Sequence, residues 1–287
     1  MRYETPASLE DAVRLLLEET GIARVLAGGT DVLVQLNTGL VEPDLVVDIK
    51  RLPGMADITA ENGGYRIGAA VSCAQMNEHE GLCTLWPGVV EAADLIGSTQ
   101  IQSRATIAGN LCNASPAADS VPALVAAGAT AAIVGPGGRR EMDVADISIG
   151  PGKTALEKAE IVESIFLPAR QARSGDAYQR FIPRTEMDIA VVSVGINLTL
   201  DDNGACSAAR VAVGAAAETV LLIPGAAAIL IGSTFGSPPM DDLAQAVSDA
   251  CRPIDDKRGT EAFRTRVAGV LARRVASLAF ERARSSQ

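Results

Sequence analysis

Neither a familiar metal-ligand set nor a conventional catalytic triad can be assembled from this 287-residue chain, which has five cysteines and one histidine. Cys73, Cys83, Cys112, Cys206 and Cys251 form no C-x-x-C pair, so with His79 as the lone imidazole the usual zinc and iron–sulfur arrangements are excluded. Reduced, mostly structural thiols are expected. His79 lies in the polar run Asn77-Glu78-His79-Glu80 and reads as a surface residue rather than a base. Long hydrophobic runs are also missing. Val121 to Val134 and Val220 to Gly232 fall short of the roughly 20 residues that cross a bilayer, and each is interrupted by proline near one end, so no membrane span is expected. Clustered positive charge is scarce: a formal charge of -10 works against binding a polyphosphate backbone, so no nucleic-acid partner is expected. The locally basic stretch Arg264 to Arg284 sets Arg266, Arg273, Arg274 and Arg282 among Val267, Val270, Leu271 and Leu278, the pattern of a packed helix with a solvated face. Met1-Arg2-Tyr3-Glu4 leads into an amphipathic segment without the features of a secretory signal, and the chain reads as cytoplasmic.

What the chain does have is apolar mass: 48% hydrophobic and 21% charged residues, enough for two domains with substantial cores. Ser8-Leu9-Glu10-Asp11 resembles a helix start, followed by Leu9, Ala12, Val13 and Leu16 at helical spacing. Residues 24–27 read as a strand ending at Gly28-Gly29, residues 31–38 as a short helix and 44–49 as the next strand, a compact β-α-β unit. Further on, residues 65–70 suggest a strand, and 87–96 and 119–127 suggest helices, with Pro122 tolerated in the first turn of the latter. Strands at 129–134 and 139–144 flank the turn Gly135-Pro136-Gly137-Gly138, and an alternating strand follows at 160–167. The polar stretch 170–176 fits a linker. Beyond it, 190–200 and 205–213 form a hairpin through Asp201-Asp202-Asn203-Gly204, and the remainder reads as helical.

Two segments carry candidate chemistry. Ala27-Gly28-Gly29-Thr30-Asp31 follows a strand and precedes a helix, so its glycines would let backbone N–H groups approach a diphosphate; taken alone this is weak evidence, because Gly-Gly turns before capped helices are common. Asp31 is an anion in that position, and its carboxylate is expected to cap backbone amides or face away from the phosphates. The second segment, Thr106-Ile107-Ala108-Gly109-Asn110 running on through Asn113-Ala114-Ser115-Pro116-Ala117-Ala118-Asp119, reads as an irregular stretch of small and short hydrogen-bonding residues suited to phosphate and sugar hydroxyls. Gly150-Pro151-Gly152-Lys153-Thr154 looks like the end of a P-loop, but Ile147 stands where that motif needs its first glycine and Pro151 would remove a cradling amide.

Through A-G-G-T-D, T-I-A-G-N and N-A-S-P-A-A-D the chain resembles the FAD-binding medium subunit of molybdenum hydroxylases, the family of xanthine dehydrogenase and carbon monoxide dehydrogenase. Further matches are Gly150 to Thr154, Arg184-Thr185-Glu186-Met187-Asp188-Ile189-Ala190 and Asp256-Lys257-Arg258-Gly259, so the resemblance spans nearly the whole chain. It implies an α+β fold: a two-lobed FAD-binding domain of the PCMH, vanillyl-alcohol-oxidase-like type over 1–172, with lobes at about 1–57 and 58–172, and a smaller α+β domain over 173–287 with an antiparallel sheet and C-terminal helices. It places FAD on Leu26, Ala27, Gly28, Gly29, Thr30, Asp31 and Val32, and on Thr106, Ile107, Ala108, Gly109, Asn110, Asn113 and Ser115. By the same matching Asp119 is a flavin-contacting acid and Arg180 a cation near the flavin ring, which would stabilise charge arriving on reduction. Ile96 and Val162 fall where the family has apolar cofactor contacts, and both equally suit a core.

The family commonly has Gly-Gly before the asparagine, whereas this chain has Ala108; a positive φ there would cost roughly 1 kcal/mol or more, and none is expected. The cysteine-rich loop of the benzoyl-CoA reductase branch is absent, so FAD is the one cofactor assigned here, with 2Fe-2S and molybdopterin groups on a small and a large partner subunit. The resemblance further implies a dimer of heterotrimers and an external electron acceptor. Two rivals remain at this point: a stand-alone flavin oxidase or reductase, and a redox-inactive nucleotide-binding assembly subunit.

Overall fold

The computed structural model describes residues 1–234 and 239–286. Three short strands, β1 (Arg2–Glu4), β2 (Ala23–Leu26) and β3 (Leu45–Asp48), form a parallel sheet in the order β1-β3-β2. Central β3 is buried along its whole length, as a covered parallel strand requires. The helix Leu9–Glu18 starts where the Ser8 hydroxyl accepts the Asp11 N–H at 3.1 Å and buries Leu9, Ala12, Val13 and Leu16. The short helix Val32–Asn37 links β2 to β3, completing the expected β-α-β unit.

The second lobe holds a five-stranded sheet, ordered β4 (Ile58–Glu61), β5 (Gly64–Gly68), β10 (Ile161–Leu167), β6 (Thr130–Gly135) and β7 (Gly138–Asp143). A small hairpin, β8 (Ser148–Gly150) with β9 (Lys153–Thr154), projects beside it. The helices Pro87–Asp94 and Ser120–Ala127 pack within this region, and the latter, buried at every position, ends at left-handed Gly128. Both lobes share one core, which includes Val13, Val47, Ile67, Leu111, Leu124 and Ile165. His79 is structural: its Nδ1 accepts the Leu82 N–H at 3.0 Å and its ring meets Tyr65 edge-on.

The last sheet is antiparallel and ordered β11 (Ser174–Phe181), β12 (Val192–Leu200), β13 (Cys206–Gly214) and β14 (Leu221–Leu222). In the β12–β13 turn, Asp201 Oδ1 accepts N–H bonds from Asn203 and Ala205, each at 2.9 Å, and Gly204 takes a φ of 80°. The helices Pro224–Leu230, Met240–Ala250 and Glu261–Ser285 bury Leu230, Leu243, Val247, Val275 and Phe280 against this sheet. The α+β class expected from the sequence therefore holds. The helical expectation for the remainder misses β14, and at 235–238 and 287 it lies outside the described residues.

Two sequence expectations need correction. The stretch 170–176 is not a solvated linker: Arg170 packs over the Trp86 ring and pairs with Asp176 at 2.9 Å, both side chains being buried, while β11 already begins at Ser174. Nor is the basic face of the last helix wholly solvated. Arg282 binds Glu91 and the Asp176 carbonyl, so it ties that helix to Pro87–Asp94, and Arg264 is buried with bonds to Val191 O at 2.7 Å and Asp256 at 2.6 Å. The motifs 184–190 and 256–259 meet through this corner, where Arg258 Nε reaches Asp188 at 3.1 Å.

Candidate functional site

A cleft of about 480 Å³ opens where the glycine turn after β2 faces the segment 105–113. The turn is built for close approach: Gly29 has a φ of 84°, and a Cβ on Gly28 would stand 2.2 Å from the Arg104 carbonyl oxygen. Among the described residues the amides of Gly28, Gly29, Thr30, Asp31 and Val32 donate to no group of the chain. Five successive free donors at the wall of a cleft form an anion cradle.

Opposite lies a short helix, Ile107–Cys112, where the sequence suggests an irregular stretch. Thr106 caps it, its hydroxyl accepting the Gly109 N–H at 2.9 Å. The signal was present in Thr106 followed by Ile107, Ala108 and Leu111, all three buried. Ala108 is helical and carries no positive φ, as expected. Asn110 Oδ1 accepts both the Ser120 N–H at 3.1 Å and the Ser120 hydroxyl at 2.7 Å, fixing this helix to the start of the next.

Of the residues singled out by sequence, Ala27 to Val32, Ile96, Thr106, Ala108, Gly109, Asn110, Asn113 and Val162 line the cleft. Ile96 and Val162 belong to the core as well as lining the cleft. Leu26 and Ile107 are buried, and Ser115 is engaged in a local turn, its hydroxyl accepting the Ala117 N–H at 3.3 Å. Asp119 and Arg180 are not among the lining residues; they form a buried ion pair at 2.7 Å, with the Tyr178 hydroxyl 3.4 Å from the same carboxylate. Burial pushes the Asp119 carboxyl up, against the opposing pull of Arg180 and Tyr178, and Arg180 Nε is buried without a partner.

Asp31 caps no amide. Its carboxylate lines the cleft and accepts Asn113 Nδ2 at 3.2 Å, while Gln35 reaches Asn113 Oδ1 at 3.4 Å, so a polar chain crosses between the lobes. Burial raises the Asp31 pKa. If the neighbouring amides hold the diphosphate of FAD, as the resemblance implies, ionised Asp31 would repel it, so FAD affinity should fall as pH rises through that raised pKa. Asp31→Asn is expected to tighten FAD by about fivefold at high pH and by little at low pH. Fluorescence titration of the apoprotein across pH checks this; an unchanged pH profile in the variant contradicts it.

Sequence reasoning missed several lining residues, including Arg24, Gln35, Gly152, Thr154, Leu156 and Glu160. The G-P-G-K-T segment is the β8–β9 hairpin, not a P-loop; its Gly152 N–H is spent on Ala114 O at 2.9 Å. All five cysteines are free thiols, and burial pushes Cys73 and Cys112 up to about 12 and Cys206 and Cys251 to about 11, which leaves them unreactive.

The family model for the FAD binding domain in molybdopterin dehydrogenase matches residues 1–170, the part of the chain that builds the cleft. The chain belongs to this family. In this flavoprotein subunit, residues 177–279 also match the CO dehydrogenase flavoprotein C-terminal domain. The subunit is 30% identical to the carbon monoxide dehydrogenase medium chain of Afipia carboxidovorans, covering 99% of this chain and 98% of that one. It is 32% identical to a putative xanthine dehydrogenase FAD-binding subunit of Escherichia coli K12, covering 96% and 94%. Among solved structures, reconstituted CO dehydrogenase from Oligotropha carboxidovorans superposes with a TM-score of 0.93 at 30% identity, covering 98% of both chains. The flavoprotein is thus an oxidoreductase component of the molybdenum hydroxylase family with an FAD-binding domain. Its free amides and its apolar lining, with Ile49, Leu156 and Ile161 beside Ile96 and Val162, fit a dinucleotide with a diphosphate centre. No helix among the described residues is long and apolar enough to cross a membrane.

Proposed function

We propose that this subunit relays electrons from a 2Fe-2S partner subunit, fed by a large molybdopterin subunit, through FAD to an external acceptor, within a dimer of heterotrimers in the cytoplasm. The observation that carries the reading is the row of five unpartnered amides at residues 28–32, which line one cleft of about 480 Å³ together with Thr106, Ala108, Gly109 and Asn110. The medium-chain relatives, named as parts of carbon monoxide and xanthine dehydrogenases, support the assembly. Bound FAD supplies one- and two-electron redox chemistry, and the protein contributes positioning and electrostatics. Residues 27–32 and 106–110 hold the diphosphate, Ile96 and Val162 exclude water, and Asn113 sets the Asp31 carboxylate. Asp119 and Arg180 stand at the flavin end, where the guanidinium stabilises negative charge on the reduced ring. The cofactor-binding domain covers 1–172 in two lobes, and 173–287 supports the flavin end through β11.

Purification of the tagged subunit from its native host tests the assembly. A small cysteine-rich subunit and a large molybdenum subunit should accompany it; an FAD-loaded chain that purifies without either refutes the relay and favours a stand-alone flavoenzyme.

A further inference from the structure

Tyr178 and Arg180 stand two residues apart on one face of β11, and that face packs on the helix Ser120–Ala127. Asp119 precedes this helix, yet its carboxylate caps no amide. It turns to β11 instead, where Oδ2 accepts Arg180 Nη1 at 2.7 Å and Oδ1 accepts the Tyr178 hydroxyl at 3.4 Å. A phenol in a core needs a polar partner for its hydroxyl, and Asp119 is the acceptor for this one.

The cluster is closed on the strand side. Tyr178 is 3% exposed, and Ser193, directly across from Arg180 on β12, has its hydroxyl buried. Gly214 lies opposite Ser193 on β13, and a Cβ there would stand 2.6 Å from the Ser193 hydroxyl, so no larger residue fits beside it. Burial pushes the Tyr178 hydroxyl well up from its ordinary pKa, so it keeps its proton and serves as a donor.

Arg180 and Tyr178 act on the Asp119 carboxyl from β11. Among the described residues, no titratable side chain acts on it from the other elements packed on this helix: Pro87–Asp94, Ile107–Cys112, Val144–Ile147, β12, β13 and β14. The guanidinium keeps its charge at every working pH, which leaves the phenol as the adjustable partner. A hydrogen bond donated to the ionised carboxylate favours that form, in opposition to burial.

We propose that Tyr178 is a positioning residue for electron transfer: its hydroxyl holds Asp119 ionised against Arg180 and so decides how much of the guanidinium's charge acts at the flavin end. The assignment rests on the reading that places Asp119 and Arg180 beside the ring. An ionised Asp119 largely cancels the field of Arg180, whereas a protonated one leaves the cation to favour the reduced, negatively charged ring.

The test follows two quantities against pH in wild type, in Tyr178→Phe and in a protein with 3-fluorotyrosine at position 178. One is the protonation of the Asp119 carboxyl in the apoprotein, read from its infrared C=O stretch and identified by loss of the band in Asp119→Asn. The other is the reduction potential of the flavin in the FAD-loaded protein. Tyr178→Phe should move the carboxyl titration to higher pH. Between the wild-type and variant titrations it should leave about threefold more flavin reduced relative to oxidised at a fixed solution potential, and outside that interval the two proteins should agree. The fluorinated phenol, a stronger donor, should move the titration to lower pH, and it decides alone if Tyr178→Phe does not fold. A titration unmoved in both proteins overturns the assignment. A titration that moves while the potentials coincide at every pH overturns instead the placement of the pair beside the ring, and the assignment with it.

Discussion

Gly28→Ala is expected to yield a folded protein that no longer retains FAD. The added Cβ would lie 2.2 Å from the Arg104 carbonyl oxygen, 2.9 Å from its carbon and 3.1 Å from the Ala105 Cα. These are backbone atoms of the opposite wall, so no side-chain rotation relieves the contact and the two walls must separate. Overpacking of this kind costs about 1–3 kcal/mol of stability. The effect on binding is larger, because the separation displaces the amides of residues 28–32 together; loss of two or three charge-assisted hydrogen bonds corresponds to at least about a hundredfold in Kd. Gly150→Ala is the control: a Cβ there meets nothing within 4 Å. The absorbance of flavin per purified chain reads both variants. Full flavin content in Gly28→Ala would show that the turn does not form the cradle.

The second large effect concerns stability. Asp119→Ala leaves the Arg180 guanidinium, 5% exposed and with Nε already unpartnered, as an uncompensated buried charge. Breaking a buried pair in this way costs about 3–5 kcal/mol, which for a chain of this size lowers Tm by roughly 10 °C. Adding Arg180→Met should restore most of the loss, because removal of both partners leaves no stranded charge. Thermal melts of the single and double variants decide: a single variant as stable as wild type, or a double variant worse than the single, contradicts the pairing. The double variant also isolates the electrostatic role. On the proposed placement of Arg180 beside the ring, the reduction potential of the flavin should be lower in the double variant than in Asp119→Ala, which differs from it only in keeping the cation; equal potentials remove Arg180 from the flavin's surroundings.

The fold was legible wherever local chemistry specifies it. The Ser8 cap, the glycine turn after β2, the Gly135 to Gly138 turn and the Asp201 to Gly204 turn each signal their element within a few residues, and each element is present. What failed to show was set by distant contacts. Asp119 and Arg180 are 61 residues apart, and nothing in the spacing of either says that they pair rather than face a ligand separately. The stretch 170–176 has the composition of a linker because its charges are many; burial of Arg170 against Trp86 and Asp176 depends on a helix some 80 residues earlier. Arg24 escaped notice for a related reason. A single cation on a short strand becomes informative only when the sheet order makes that strand an edge beside a cleft.

The small residues of Ile107–Cys112 suggest a loop, whereas Thr106 with three buried positions forms a capped helix. That difference sharpens the site: a helix presents Ala108 and Gly109 in fixed positions across from the turn, and its right-handed backbone accommodates an alanine at 108, where the resemblance leads one to expect glycine.

The central claim, that this cleft holds one FAD per chain without a covalent bond, is tested most directly by calorimetric titration of the apoprotein with FAD. One FAD should bind per chain, ADP should compete with it, and heat denaturation should release all of the flavin unmodified. Absence of binding, or flavin that stays attached to the denatured chain, would contradict it.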